Sequence, residues 1–326
     1  MKVGVLVRLI VAMVCTVFLT AATAQEWPAQ AVRIVVPYAP GGAVDMMARA
    51  LAERLGQRWK QSVIVENRAG GSEVIAATTV ARAKPDGYTL FLATDIGLET
   101  NPFLFTKLPY NPQTDFTPIT RLAEGPLIYV VKADSPIRTL NDLIALAKQQ
   151  PAKISYGSSG TGGSIHLATN WLGIVAGNVQ FVHVPYKGSA PTMTDTLAGV
   201  LDFTAAPLSV VAPYVAEKRM RAIATSGSKR VRTLPEVPSF TDLGFKEAVT
   251  TFMFGLVGPA KLAPELASRI AADVGVVMRE PEMKEKNVDA YGFELAVETP
   301  QAFAQYLASN RENQRARVRA ANVQLD

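Results

Sequence analysis

The residues of this 326-residue chain that could do chemistry are few, and two glycine turns hold most of them. Pro37-Tyr38-Ala39-Pro40-Gly41-Gly42 follows the β-branched run Val32-Arg33-Ile34-Val35-Val36 and precedes Val44, Met47, Ala48, Leu51 and Leu55 at helical spacing. Strand, glycine turn and helix together aim unpaired backbone N–H groups, and the positive end of a helix dipole, at one spot. That spot suits a carboxylate or a phosphate. An ordinary βα corner, in which the glycines only permit a tight turn, fits the same residues, and this element alone leaves both readings open. About 120 residues later, Gly157-Ser158-Ser159-Gly160-Thr161-Gly162-Gly163-Ser164 repeats the arrangement, between a short strand at 154–156 and a helix from about 165 to 175. Two anion-capable corners in successive halves point to two lobes facing one cleft, the usual place for a small ligand.

Groups for covalent or metal chemistry are scarce. The only cysteine is Cys15 and the only histidines are His166 and His183. A hydrolase needs a nucleophile beside a base. Ser164 and His166 could form such a pair, but no Gly-x-Ser-x-Gly elbow is present and the sequence supplies no orienting carboxylate. An exported hydrolase is therefore a rival reading, and satisfied structural histidines are the favoured one. Two histidines in different elements, without cysteine, match no zinc spacing. Gly157 and Gly162 have the separation of a nucleotide P-loop, but Gly163 stands where the phosphate-binding lysine must be. A turn rich in hydroxyls and backbone donors holds a carboxylate and not a triphosphate with magnesium, so recognition is expected rather than reaction, with no metal.

The elements that must position these turns alternate along the chain, which predicts α/β layers with mostly parallel sheets. Strands are expected at 62–66, 88–93, 127–131, 181–184, 201–205, 222–225 and 253–257, with a long ordered connection at 101–118. Thr139-Leu140-Asn141-Asp142 reads as a capped helix start, and Pro264 and Pro300 as first-turn prolines of the last large helices. An apolar share of 48% with 19% charged residues belongs to a globular chain long enough for two cores. Lys2 and Arg8, the apolar run 9–19 and Ala22-Thr23-Ala24 form a Sec-type signal peptide, so an exported product beginning near Gln25 is expected. Val14 before Cys15 excludes a lipoprotein cysteine, and loss of the leader takes the formal charge from +5 to about +3. Arg311, Arg315, Arg317 and Arg319 are expected on a solvated helix face rather than at a nucleic-acid site.

An ordered set of motifs then becomes specific. Pro37-Tyr38-Ala39-Pro40-Gly41-Gly42 with Asp45 and Ala48-Arg49 is followed by Val65-Glu66-Asn67-Arg68, Pro85-Asp86-Gly87-Tyr88-Thr89-Leu90, Asn101-Pro102 and His183-Val184-Pro185-Tyr186-Lys187-Gly188. The set resembles the extracytoplasmic solute receptors of the tripartite tricarboxylate transporter system, often called the Bug family. The match continues through Leu234-Pro235-Glu236-Val237-Pro238 and Gly258-Pro259-Ala260, and covers essentially the whole chain after the leader. The resemblance implies an α/β, two-lobed periplasmic binding protein fold of type II, with two chain crossovers and a cleft that closes on one small molecule. It implies a signal peptide at 1–24, a first lobe of 25–125 and 252–326, and a second lobe of 126–251.

It further implies a periplasmic receptor, not an enzyme, with no cofactor, expected as a monomer that delivers a carboxylated solute to membrane permease subunits. A ligand-sensing module for a sensor kinase is the alternative recipient. Carried over from the family, Tyr38, Gly41, Gly42, Ser158, Thr161, Gly162 and Ser164 are the expected ligand-binding residues, with Thr94 as a further donor. Asp45 is expected to support the helix start, and Tyr186 and Lys187 to flank the cleft or lie beside it in solvent. The chain departs from the family pattern at Asp95 and Glu99, where small or neutral polar residues are usual. It departs again at Ala206-Pro207, and at Glu73, where glycine is common. If Asp95 or Glu99 faces the cleft, a second anionic ligand end is repelled, which predicts a mono-carboxylate carrying a polar or cationic group.

Overall fold

The computed structural model describes residues 27–325, and the expected leader with Cys15 lies outside them. Val32–Val36 (β1) is central among three parallel strands, paired with Val63–Asn67 (β2) on one side and Thr89–Ala93 (β3) on the other. Its core residues Ile34, Val35 and Val36 are fully buried, as a β-branched run between two layers requires. Ala43–Trp59 (α1) covers one face of this group and buries the five residues whose spacing predicted it, Val44, Met47, Ala48, Leu51 and Leu55. The helix Val74–Ala81 (α2) covers the other face, against Val35 and Phe91. After β3 the chain makes a π-turn at Ile96–Thr100 and a short helix, Asn101–Leu104 (α3).

Phe116–Lys132 (β4) is a 17-residue strand that links two groups of strands. From Phe116 to Pro126 it pairs antiparallel with Thr251–Pro259 (β9), which in turn pairs with β3. From Leu127 onward it pairs with Phe203–Pro207 (β7) and Met220–Thr225 (β8). Between these lie Leu140–Gln149 (α4), Ser155–Ser158 (β5), Ser164–Val175 (α5), Val182–Pro185 (β6), Ser189–Ala198 (α6) and Leu208–Ala216 (α7). β5, β6 and β7 form a second parallel set. The chain crosses out of the first group along β4 and returns along β9, so the fold is α/β with two lobes and two crossovers.

Among the described residues, parallel strands pair only in these two sets, apart from the isolated bridges Phe105–Leu325 and Thr225–Ser239. Of the nine strand pairings among the described residues, the five that involve β4 or β9 are antiparallel, including Glu294–Leu295 (β10) on β4, so the sheets are mixed rather than mostly parallel. The reason is topological: a strand that leaves one lobe and a strand that returns to it run in opposite senses. Pro264–Arg279 (α8) packs beside α1, where Arg58 meets Asp273 at 2.6 Å. Pro281–Asn287 (α9) follows, and Pro300–Ala321 (α10), begun by Thr299 accepting from the Ala302 amide, closes the chain over both lobes. Val318 of α10 packs with Leu104 of the first lobe and Leu167 of α5 in the second. Arg317 does not lie on a solvated face as expected: it turns inward and donates to the Val249 carbonyl at 3.3 Å.

Candidate ligand-binding cleft

Four helices begin at one place. The wall of a cleft takes Gly42, Ala43 and Val44 from the start of α1, Ser164 and Ile165 from α5, and Ser189 and Ala190 from α6. Pro207, directly ahead of α7, completes the set. None of the four helix starts has a side-chain cap, and the first amides of a helix have no intrahelical partner. Their dipoles therefore place positive ends around one volume. Lys187 is the single charged residue of the wall, and Ala39, Pro40, Leu127 and Phe252 make much of the rest apolar. The cleft encloses about 610 Å3, counting its open mouth.

Each corner is held in shape by its own hydrogen bonds. Gly41 has φ 88°, which a glycine adopts freely, and its amide donates to Asp45 at 3.0 Å. Asp45 also accepts from Arg49 Nε and Asn67 Nδ2, both at 2.9 Å, and Asn67 reaches on to the Tyr38 carbonyl. Burial alone would raise the Asp45 pKa, but the bonds from Arg49, Gly41 and Asn67 outweigh it and hold the carboxyl below its usual range. Asp45 thus supports the turn, and Arg49 and Asn67 of the motif serve the same end. In the second corner Ser158 Oγ accepts from the Gly160 amide at 3.2 Å and lies 2.6 Å from His183 Nε2.

Of the residues expected to bind ligand, Tyr38, Gly42, Thr94 and Ser164 come together in the cleft wall. Gly41, Asp95, Ser158, Thr161 and Gly162 do not line it. Gly41 shapes the first corner, and Ser158 is fully buried in the second. Thr161 and Gly162 join the lobes instead: the Thr161 carbonyl accepts from Ser72 Oγ at 2.9 Å, and Gly162 packs on Leu104. Lys187 stands in the wall, whereas the Tyr186 hydroxyl turns away to Asp195. The starts of α6 and α7 escaped the sequence reading. Their signal was the weakest, because Gly188 and Pro207 stand alone rather than in a glycine run.

Three acids lie behind the wall. Asp95 accepts from Ser164 Oγ at 3.1 Å through both oxygens, and burial lifts its pKa to about 6. Glu99 accepts from Asn310 of α10 at 3.1 Å, and burial, then the Asp95 charge, lift it to about 8. Neither belongs to the cleft wall. Glu73, at the start of α2, is 1% exposed and accepts from the Tyr38 hydroxyl at 2.7 Å and from the Thr94 hydroxyl at 2.5 Å. Its other oxygen accepts from the Thr94 and Gly97 amides at 3.3 and 3.2 Å.

The two histidines stack on each other, with ring centroids 3.8 Å apart. His166 Nδ1 accepts from the Gly162 amide at 2.9 Å. Burial lowers the pKa to about 3 for His166 and about 4 for His183, so both rings are neutral near pH 7. Ser164 gives its hydroxyl proton to Asp95 and makes no hydrogen bond to His166 among the described residues. The Ser164–His166 arrangement that a hydrolase would need is therefore not formed.

Residues 47–323 match the family model described as tripartite tricarboxylate transporter family receptor. A UPF0065 protein of Pseudomonas sp. strain P51 is 33% identical over 290 residues, which span 88% of this chain and 84% of that protein. Among solved structures, R. palustris Rpa4515 with adipate superposes with a TM-score of 0.87 at 30% identity, covering 92% of this chain and 99% of that one. The periplasmic binding protein BugD superposes with a TM-score of 0.85 at 28% identity, over 91% of this chain and 99% of its own. With its two-lobed fold and a match running from α1 to beyond the end of α10, this chain belongs to the tripartite tricarboxylate transporter receptor family.

Proposed function

We propose that the protein is a periplasmic receptor that captures a small carboxylate between its lobes and hands it to membrane permease subunits of the tripartite tricarboxylate type. The observation that carries this reading is the convergence of four uncapped helix starts and Lys187 on one otherwise apolar cleft. Free amides and dipole ends hold an acid group, and apolar walls hold the carbon skeleton. A solved relative at 30% identity carries adipate, which supports the ligand class.

Of the expected binding residues, the reading keeps Tyr38, Gly42, Thr94 and Ser164 as wall residues, and gives Gly41, Ser158, Thr161 and Gly162 the task of shaping and joining the corners. Lobe boundaries near 125 and 252 are supported by β4, which changes partner from β9 to β7 and β8 between Pro126 and Leu127. Export by a leader at 1–24 completes the proposal.

Thermal unfolding with a panel of millimolar carboxylates tests it. A ligand at a hundred times its Kd adds about 2.7 kcal/mol to the stability of the folded state and raises Tm by several degrees. Lys187→Met is expected to weaken that ligand about tenfold, the scale of a charge-assisted contact. If no carboxylate raises Tm, the receptor reading falls.

A further inference from the structure

Glu73 occupies an unusual place for a glutamate. Its backbone has φ 72°, in the left-handed region, and Ser72 before it has φ 49°. That conformation costs a residue with a Cβ roughly 1 kcal/mol, and burying a carboxylate adds to the cost. Four donors meet the carboxylate, and Gly97 leaves room for it: a Cβ there would sit 2.5 Å from Glu73 Oε2. The pocket around Glu73 is thus a complete carboxylate cradle, filled by a side chain of the protein itself.

The consequence for the cleft follows from counting protons. Tyr38 and Thr94 both line the cleft, and each hydroxyl has one proton to give. With Glu73 ionised, as it is above about pH 7, both protons go to its Oε1. What these two side chains present to a ligand is lone pairs only, with a carboxylate one hydrogen bond behind them.

We propose that Glu73 sets the ligand specificity of the cleft, by turning the Tyr38–Thr94 wall into a set of acceptors that rejects a second carboxylate and accepts a hydroxyl or amine. The favoured ligand is a mono-carboxylate whose far end donates hydrogen bonds. This rests on the receptor reading above and adds the class of acid. All three acids lie behind the wall, but Glu73 takes the protons of two wall hydroxyls, Tyr38 and Thr94, whereas Asp95 takes that of Ser164 alone and Glu99 takes none, so most of the selection falls to Glu73.

Calorimetry at about pH 8, where Glu73 is ionised, with a pair of probes matched in length, 6-hydroxyhexanoate and adipate, tests the assignment on the wild-type protein, Glu73→Gly and Glu73→Gln. Glycine adopts φ 72° freely, so Glu73→Gly keeps the turn and releases both hydroxyl protons. The wild type is expected to bind 6-hydroxyhexanoate at least tenfold more tightly than adipate. That ratio should drop at least tenfold in Glu73→Gly, through a gain in adipate affinity, and by less in Glu73→Gln. A wild type that prefers adipate, or a ratio in Glu73→Gly within twofold of wild type, overturns the role of Glu73 and leaves the receptor reading standing. Absence of binding by every carboxylate removes both.

Discussion

At the scale of single residues, Gly162 shows what a glycine in a binding corner can be for. Its φ is 74°, and a Cβ at this position would collide with the Leu104 side chain of the other lobe. Gly162→Ala therefore meets both backbone strain and overpacking at the contact between lobes. The expected loss is about 1–3 kcal/mol in urea unfolding; a loss below about 0.5 kcal/mol would show that the lobes separate there without cost. The turn itself was legible in the sequence because a run of glycines and hydroxyls has few other uses. Which atoms face the ligand was not legible. Ser158 and Gly162 sit in the same turn as Ser159 and Ser164, yet only the latter two reach the wall, since Ser158 turns to His183 and Gly160, and Gly162 packs on the opposite lobe. Glu73 was visible only as a departure from a family pattern. Nothing in the spacing of its neighbours announces a left-handed glutamate aimed inward at Tyr38 and Thr94.

At the scale of elements, the capped start of α4, away from the cleft, contrasts with the bare starts that face it, although α2, α8 and α9 also begin without a side-chain cap away from the cleft. The start of α4 carries a full capping box: Thr139 Oγ1 accepts from the Asp142 amide at 3.1 Å, and Asp142 accepts from the Thr139 amide at 2.9 Å. Thr139→Ala should cost about 1 kcal/mol in chemical denaturation, with ligand affinity unchanged, because α4 lies outside the cleft. Loss of affinity in that variant would mean that the lobes transmit strain from α4 to the wall. By contrast, α1, α5, α6 and α7 begin without a side-chain cap, and their free amides gather where a solute would sit. The box was readable from four consecutive letters; the convergence of the bare starts was not, because it exists only after β7 and β6 are placed beside β5. The same limit applies to β4. Its second half, rich in Val and Ile, read as a strand. Its first half, with Thr117, Pro118, Thr120, Arg121 and Glu124, did not, since long-range pairing with β9 and two register shifts decide its conformation.

At the scale of the whole molecule, burial of charge under the joined lobes sets how stability depends on pH. Asp95 meets Ser164 across the lobes, and Glu99 lies under α10 beside Asn310. Arg311 and Arg121 oppose the charge of Glu99, and Arg317, also turned inward, that of Asp95, while Tyr38, Tyr110 and Tyr306 flank the cluster as neutral phenols. Burial raises Glu73 to about 7, Asp95 to about 6 and Glu99 to about 8. A carboxyl with a raised folded pKa keeps a proton that the unfolded chain has lost, so its contribution is greatest at low pH and is lost as pH climbs through the folded value. The histidines act in the opposite sense: His166 and His183, lowered to about 3 and 4, make stability rise with pH until the unfolded imidazoles deprotonate near the ordinary value of 6.5. Between about pH 4.5 and 6.5 three carboxyls oppose two imidazoles, so the cancellation is incomplete and stability already declines as pH rises. Above about pH 6.5 only Glu99 and Glu73 remain, and together they remove about 2 kcal/mol by pH 8. Urea midpoints measured across that range should therefore fall as pH rises, with an unchanged slope. Glu99→Gln should flatten most of the fall and Glu73→Gln the remainder, while His166→Gln should leave this upper range as it is. A midpoint that holds constant or rises between about pH 6.5 and 8 in the wild-type protein would mean that these carboxyls are already ionised beneath the closed lobes.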